Sequence, residues 1–179
     1  METEKYCIQH RRRLACLFVG LLSGCTPASN GGATDTPPTV KDATAFAEQV
    51  VLSNLEYLEQ DAYATADRAW GERLAMQCRA CHALEQGGPT LLGPALHGVF
   101  GRHAGTAPGF DYSPALASAG FVWTPAALDA WLATPSQFLP GNRMAFAGIQ
   151  RESDRNALIA YLLASTGAGD DAGTGVADQ

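Results

Sequence analysis

One pentapeptide constrains this chain more than any other feature, namely Cys78-Arg79-Ala80-Cys81-His82. In a helix, steps of three and four residues return to nearly the same azimuth, so Cys78, Cys81 and His82 lie on one face. The two sulfurs can form thioethers with the two vinyl groups of a haem, and His82 then stands under the ring with a nitrogen directed at the iron. The motif therefore predicts one covalently attached haem.

Two other kinds of site use the same cysteines. Fifteen residues separate Cys81 from His97 and five separate His97 from His103, which fits a Cys₂His₂ zinc template. Against zinc, three glycines between residues 98 and 105 interrupt the helix that would carry both histidines. A thioredoxin-like dithiol needs a βαβ unit, which the helical sequence does not offer. Haem remains the favoured interpretation.

The N-terminal residues have the pattern of an export signal. Three arginines at 11–13 precede a nine-residue apolar run at 14–22, which is too short to span a bilayer, and then small residues follow. The sequence Leu22-Ser23-Gly24-Cys25 resembles the lipobox of bacterial lipoproteins, in which the cysteine is acylated. We therefore expect a signal peptide at residues 1–24 and a lipid on Cys25.

Removal of that signal changes the cysteine count and the charge. Cys78 and Cys81 are then the only free thiols, so no structural disulfide is expected. Residues 1–24 hold four of the 12 basic and two of the 18 acidic residues, which leaves 8 basic and 16 acidic residues. Nucleic acid is excluded as a partner by this acidic balance. Since Lys41 is the one lysine left, membrane attachment should come from acyl chains.

Before the haem motif, the chain divides into a linker and two predicted helical stretches. Residues 25–40 are polar, contain three prolines and show no apolar periodicity, as in a flexible linker. Apolar residues at spacings of three and four predict an amphipathic helix over 41–61, which either packs on the domain or contacts a partner. A second helical stretch, 62–77, leads into the motif.

After the motif, the pattern remains helical. Ser113-Pro114 and Thr124-Pro125 are typical helix openings, the second leading into a helix over 126–133. A last helix carries four large apolar residues on one face, namely Leu158, Ile159, Leu162 and Leu163. Residues 167–179 are predicted to be disordered. No run alternates apolar and polar residues as a half-buried strand would, so the fold class is all-α.

The function depends on the second axial ligand, because an iron bound by His82 alone is open to gases and peroxide. Met76 belongs to the attachment helix itself and cannot reach over the ring. Met144, His97 and His103 remain candidates, and Met144 lies in a loop bounded by Pro and Gly that is free to fold over the far face. A thioether ligand favours ferrous iron. The competing interpretation of Met144 is an ordinary core methionine.

From about residue 70 to residue 166 the chain resembles class I c-type cytochromes, the monohaem proteins of the mitochondrial-like branch. The motifs that carry the resemblance occur in the family's order: CRACH, GPALHGVFGR, PGFDYS, GFVW, LPGNRMAFAGI and LIAYL. The resemblance implies a cytochrome c domain at 62–166, with helices and loops around one haem c. It also implies that helices at 70–77 and 158–162 cross.

The resemblance further implies a role for individual residues. Cys78 and Cys81 would attach the haem, His82 and Met144 would bind its iron, and the Pro94 carbonyl would accept a hydrogen bond from the other His82 nitrogen. The cofactor's propionates would be bonded by Arg102, Tyr112, Trp123 and, at a position where the family usually has Thr, Asn142. Two further positions concern the ligands: Trp131 stands where a Tyr often touches the Met sulfur, and His97 would make a structural hydrogen bond.

The implied function is electron transfer without catalysis, because no substrate can bind an iron with both axial positions filled. We expect a monomeric periplasmic carrier, held to a membrane by its lipid, that exchanges electrons with redox proteins such as a quinol-oxidising complex, a terminal oxidase or a dehydrogenase. Thr26 after Cys25, in place of Asp, favours the outer membrane. The alternatives are a haem subunit of a larger oxidoreductase, or a peroxidase or gas sensor with an open or labile sixth site.

The surface charge expected around the haem edge departs from the family. Mitochondrial members carry a ring of lysines there, whereas this chain has Gln77, Ser136, Gln137 and Gln150. Without that ring, association with an acidic partner surface should depend weakly, or oppositely, on salt.

Overall fold

The computed structural model describes residue 46 and residues 49–167. The predicted signal at 1–24, the lipid site Cys25, the linker at 25–40 and the tail beyond Gly167 lie outside these residues. Within the described part of the chain, none of the helices combines the length and the apolar character needed to cross a bilayer.

The described residues form seven α-helices joined by loops. They are α1 Asn54–Leu58, α2 Asp61–Ala64, α3 Arg68–Arg79, α4 Pro114–Ala117, α5 Pro125–Ala133, α6 Pro135–Phe138 and α7 Glu152–Ser165. Over this part of the chain the extended pairing amounts to one isolated bridge, between His103 and Val122, and no strand forms. The all-α prediction is confirmed.

The helices begin where the sequence supplies caps. In α4 the Ser113 side chain accepts a hydrogen bond from the Leu116 N–H, and in α5 Thr124 accepts one from the Ala127 N–H. In both helices Pro occupies the first turn, where its missing N–H costs nothing. Both helix starts predicted from Ser-Pro and Thr-Pro are thereby confirmed.

The continuous helix predicted over 41–61 is wrong for the described residues. Residues 49–53 are not helical, and the first helix is only Asn54–Leu58. Ser53 and Glu56 form a capping box, in which each side chain accepts a hydrogen bond from the other's backbone N–H and fixes the helix start at that point. The stretch 62–77 is also interrupted, since the Asp67 side chain caps a new helix by accepting from the Trp70 N–H.

The framework of the domain is the crossing of α3 and α7. Gly71 makes the crossing possible, because a Cβ at that position would lie 2.0 Å from the carbonyl oxygen of Ala157. The Trp70 indole N–H donates to Asp154 Oδ1 across the two helices at 2.9 Å. The apolar face predicted for the last helix is confirmed, as its four large residues are all buried: Leu158, Ile159, Leu162 and Leu163.

Two further sets of contacts form a wall that supports the loop carrying Met144. The Arg155 guanidinium of α7 pairs with Asp129 of α5 at 2.7 Å and also donates to the carbonyl of Ile149. Between α5 and the loops, four aromatic rings pack edge to face, namely Phe121, Trp123, Trp131 and Phe138. The loop that carries Met144 therefore lies against a rigid aromatic cluster.

Candidate haem-binding site

The cysteine motif lies at the end of α3 and keeps a helical turn beyond it. The N–H groups of Cys81 and His82 both donate to the carbonyl of Cys78, at 3.0 Å and 2.9 Å. Cys78 and Cys81 are free thiols. Burial raises the pKa of Cys78 to about 11, so this sulfur is protonated near neutral pH in an apolar setting. The turn thus places both thiols and the imidazole side by side, as the spacing predicts.

The His82 ring is held from its edge and from its face. Its Nδ1 lies 2.7 Å from the carbonyl oxygen of Pro94. A carbonyl can only accept, so Nδ1 is the donor and Nε2 keeps a lone pair free for a metal. Gly93 lies against the ring face, where a Cβ would approach Cε1 to 2.2 Å. Burial lowers the pKa of His82, while the Pro94 bond opposes that shift.

The Met144 side chain is half-buried and packs against the aromatic cluster. Its Sδ accepts a hydrogen bond from Nε1 of Trp131 at 3.3 Å. Its backbone N–H donates to Oδ1 of Asn142 at 2.9 Å. Both the sulfur and the backbone of Met144 are therefore oriented by neighbouring side chains, unlike Met76, which is 64% exposed on α3.

The two other candidate axial ligands lie in different surroundings. His103 is exposed on the short bridge to Val122. The carbonyl of His97 accepts a hydrogen bond from Arg102, but over the described residues its imidazole makes no hydrogen bond. The structural hydrogen bond expected of the His97 ring is thus not found in this part of the chain.

Two of the side chains expected at the propionates are Arg102, which is a half-buried cation, and Tyr112. Arg102 donates to the carbonyls of His97 and Ala95, at 3.2 Å and 3.0 Å, and within the described residues no carboxylate pairs with it. Burial lowers the pKa of Arg102, while Tyr112 opposes that shift. The Tyr112 hydroxyl oxygen accepts from the Ala107 N–H, which leaves its own O–H free to donate. A desolvated cation of this kind calls for an anionic partner.

Trp123 completes this polar group from the aromatic cluster. The residue is 9% exposed, and its indole N–H meets no acceptor among the residues that the structure describes. Within the described residues this Nε1 is not one of the fully enclosed polar atoms that lack a partner, so the N–H can donate to solvent or to a bound group. Together with the unpaired charge of Arg102, this donor fits the carboxylates of a haem.

Several cytochromes are similar to about half of this chain. Cytochrome c of Kluyveromyces lactis is 42% identical over 87 residues, which cover 49% of this chain and 79% of the relative. Cytochrome c2 of Agrobacterium tumefaciens is 44% identical over 102 residues, or 55% of this chain and 92% of the relative. Cytochrome c of Trypanosoma brucei brucei is 48% identical over 80 residues, or 45% and 86%. No protein-family model matches the chain.

The chain belongs to the cytochrome c family. It is a monohaem electron carrier rather than an enzyme, it has the all-α cytochrome c fold, and its cofactor is one covalent haem c. The two cysteines on one helical turn, the imidazole with a free Nε2 and the unpaired guanidinium of Arg102 all fit that cofactor.

Within this cytochrome, Asn142 departs from the role that the resemblance implies. Its Nδ2 donates to the carbonyls of Pro135 and Leu139, each at 2.8 Å, so both amide hydrogens are used within the protein. No N–H is left for a propionate. The physical reason is that an amide carries two donors, whereas the hydroxyl of Thr carries one, so Asn bonds two carbonyls at once.

Sequence reasoning missed one residue of the cytochrome's haem site, which is Gly93. Its lack of a side chain allows the backbone to lie on the His82 ring, and its N–H donates to the Cys81 carbonyl at 2.9 Å. The available signal was its position directly before Pro94, since a glycine often marks a close approach of the backbone to a bound group.

Proposed function

We propose that this cytochrome carries single electrons between respiratory or photosynthetic proteins of the periplasm, with His82 and Met144 as its two axial ligands. The observation that carries the proposal is that a hydrogen bond orients each of the two groups. His82 is held by the Pro94 carbonyl so that Nε2 is free, and the Met144 sulfur is held by the Trp131 indole. With both positions filled, no substrate reaches the iron, and the electron enters and leaves through the haem edge.

The remaining cofactor contacts follow the same assignment. Cys78 and Cys81 hold the haem through thioethers, and Arg102, Tyr112 and Trp123 bond its propionates. The support is electrostatic, because within the described residues the half-buried guanidinium of Arg102 pairs with no carboxylate and the indole N–H of Trp123 has no acceptor. The haem itself supplies an iron that alternates between the ferric and ferrous states.

The proposed partners are a quinol-oxidising complex as donor and a terminal oxidase or similar protein as acceptor. No lysine occurs between residues 49 and 167. The same residues hold seven arginines against ten acidic residues, so their net charge is negative. Attraction to an acidic docking surface should therefore be weak, and the rate of electron transfer should change little between low and moderate salt. A partner recognised through lysines would instead lose affinity steeply as salt rises.

A lipid on Cys25 would hold the cytochrome at the outer membrane, with residues 25–40 as the tether of the haem domain at 62–166. Tethering raises the effective concentration near membrane partners, which offsets weak steering. Replacing Cys25 with Ala should release the haem protein from washed membranes into the soluble fraction. Retention of the C25A protein in the membrane fraction would show that the lipid is not the anchor.

Electron carriage is tested by deletion and complementation. Membranes and periplasm of a deletion strain should oxidise quinol with oxygen more slowly, and purified holoprotein should restore the rate. Met144→Ala holoprotein, with an open iron of lower potential, should restore it poorly. Unchanged respiration after deletion would remove a terminal oxidase from the proposed partners.

A haem subunit of a larger oxidoreductase is the second candidate. It is favoured by apolar side chains left exposed before α1 and within it, Val50 at 79% and Leu55 at 62%, and by Leu92 at 82%. Large apolar side chains that are this exposed are available for contact with a partner subunit. Co-purification of the cytochrome with a dehydrogenase after mild solubilisation would favour this candidate, whereas isolation as a free monomer would favour the carrier.

A further inference from the structure

Asn142 stands at the junction of α6 and the loop that carries Met144, and it makes three hydrogen bonds with its side chain. Nδ2 donates to the carbonyls of Pro135 and Leu139, and Oδ1 accepts from the backbone N–H of Met144. All three distances lie between 2.8 Å and 2.9 Å, in the normal range for good hydrogen bonds. One amide therefore ties the backbone of the proposed ligand to the preceding helix.

That helix is a firm support. Pro135 and Phe138 of α6 are fully buried, and Phe138 packs against Phe121 and Trp131. The loop itself has few backbone bonds of its own: the Asn142 N–H donates to Leu139 at 3.2 Å, and the Phe146 N–H donates to Met144 at 3.1 Å. The far end of the loop is tied to α5, where the Ile149 N–H donates to the Leu132 carbonyl at 2.8 Å. At the Met144 end, the short bonds to Pro135 and Leu139 come from the amide of Asn142.

The other side-chain contacts beside Met144 are weaker. The Trp131 bond ends on a thioether, which is a poor acceptor. The Arg143 side chain reaches Asp111 on the outside, where these side chains are 57% and 96% exposed. Exposed ion pairs of this kind contribute little because solvent screens them.

We propose that Asn142 is a positioning residue that holds the Met144 loop closed over the haem and so sets how often the sixth site of the iron opens. The proposal rests on Met144 being the axial ligand. Asn142 does not touch the iron and acts only through the backbone of the loop. Weakening it should therefore raise the population and rate of the open form, in which small external ligands reach the iron.

The test uses ferric holoprotein and two pairs of matched variants. Asn142→Asp keeps an oxygen for the Met144 N–H but removes both donors, and Asn142→Ala removes all three bonds. Gln150→Glu and Gln150→Ala make the same chemical changes at an exposed amide, whose one bond goes to the Ala133 carbonyl at 3.2 Å. Imidazole is added in stopped flow, and the limiting rate at high imidazole reports loop opening.

We expect both Asn142 variants to bind imidazole about 10- to 100-fold faster than wild type, since two or three net hydrogen bonds are lost. Their sulfur-to-iron absorption band should remain but disappear at lower imidazole concentrations. The Gln150 variants should match wild type within about twofold, which is the scale of an exposed contact. If Asn142→Ala yields little holoprotein, Asn142→Asp decides the question.

Two results overturn the proposal and are distinguishable. If wild type shows the sulfur band and the Asn142 variants bind imidazole no faster than the Gln150 variants, Asn142 does not position the loop and the proposed function stands. If wild type lacks the band and binds imidazole without a limiting rate, Met144 is not the ligand, and the axial assignment fails together with the inference.

Discussion

The His82 side and the Met144 side of the haem site are held by different kinds of groups. On the His82 side, the contacts are backbone groups: the Pro94 carbonyl, the Cys78 carbonyl and the bare Gly93. On the Met144 side, they are side chains, namely the Trp131 indole and the Asn142 amide. Backbone groups cannot be altered by ordinary substitution, whereas side chains can. If His82 and Met144 are the axial ligands, as we propose, the position of His82 is fixed, whereas the loop closure and sulfur donor strength of Met144 can be adjusted by substitution.

The largest effect is expected on the His82 side, from a substitution at Gly93. Gly93→Ala would place a Cβ 2.2 Å from Cε1 and 2.6 Å from Nδ1 of His82, and the ring cannot move away without losing Pro94. We expect most of the holoprotein to be lost, as measured by haem staining and by the Soret absorbance per chain. Gly87→Asn is the control. A Cβ at Gly87 would have no heavy atom within 4 Å, and Asn tolerates the φ of 69° at this position.

A smaller effect is expected on the adjustable side from Trp131→Phe. The indole N–H withdraws electron density from the Met144 sulfur, so its removal makes the sulfur a better donor to ferric iron. Because one modest hydrogen bond to the Met144 sulfur is lost, the reduction potential should fall by tens of millivolts. Protein-film voltammetry measures the shift. Phe121→Leu, which also loosens the aromatic cluster, should lower the melting temperature without that fall; an equal fall in both variants would point to packing instead.

A third prediction concerns Tyr63 in the framework of the domain, and the substitution should leave the His82 and Met144 sides unchanged. Burial, with help from Asp129, raises the pKa of Tyr63 to about 12, against the usual value of 10. Because the folded pKa is the higher one, the stabilisation is complete below pH 10 and is lost as pH rises from about 10 to 12. Guanidinium unfolding should show a steeper loss over that range in wild type than in Tyr63→Phe. Tyr161→Phe should behave as wild type.

The smallest effect is expected at the outside of the Met144 loop. Asp111→Ala removes an exposed carboxylate from Arg143, whose bond to the Asp111 carbonyl survives. The free energy of unfolding should change by less than about 1 kcal/mol, and imidazole binding should remain close to the wild-type rate. A rate as high as that of Asn142→Ala would mean that the loop is held from outside.

The same contrast explains what could be predicted from the sequence. The haem motif and the helix openings at Ser113 and Thr124 depend on residues a few positions apart, so spacing and capping rules suffice. Over the described residues, the continuous helix predicted at 41–61 is wrong, because a local capping box at Ser53 starts the helix at Asn54 despite the apolar periodicity before it. The hydrogen bonds of the Asn142 amide could not be predicted, because the choice of acceptor is set by where the carbonyls of Pro135 and Leu139 lie, which a linear sequence does not reveal.

The central claim is that the iron has two protein ligands, with Met144 as the sixth. The most direct test is the visible and near-infrared spectrum of purified holoprotein, with carbon monoxide added to the reduced form. The account predicts a weak sulfur-to-iron band when oxidised and no shift with carbon monoxide when reduced. Absence of the band together with ready carbon monoxide binding would contradict it and indicate an open iron, as in a gas sensor or peroxidase.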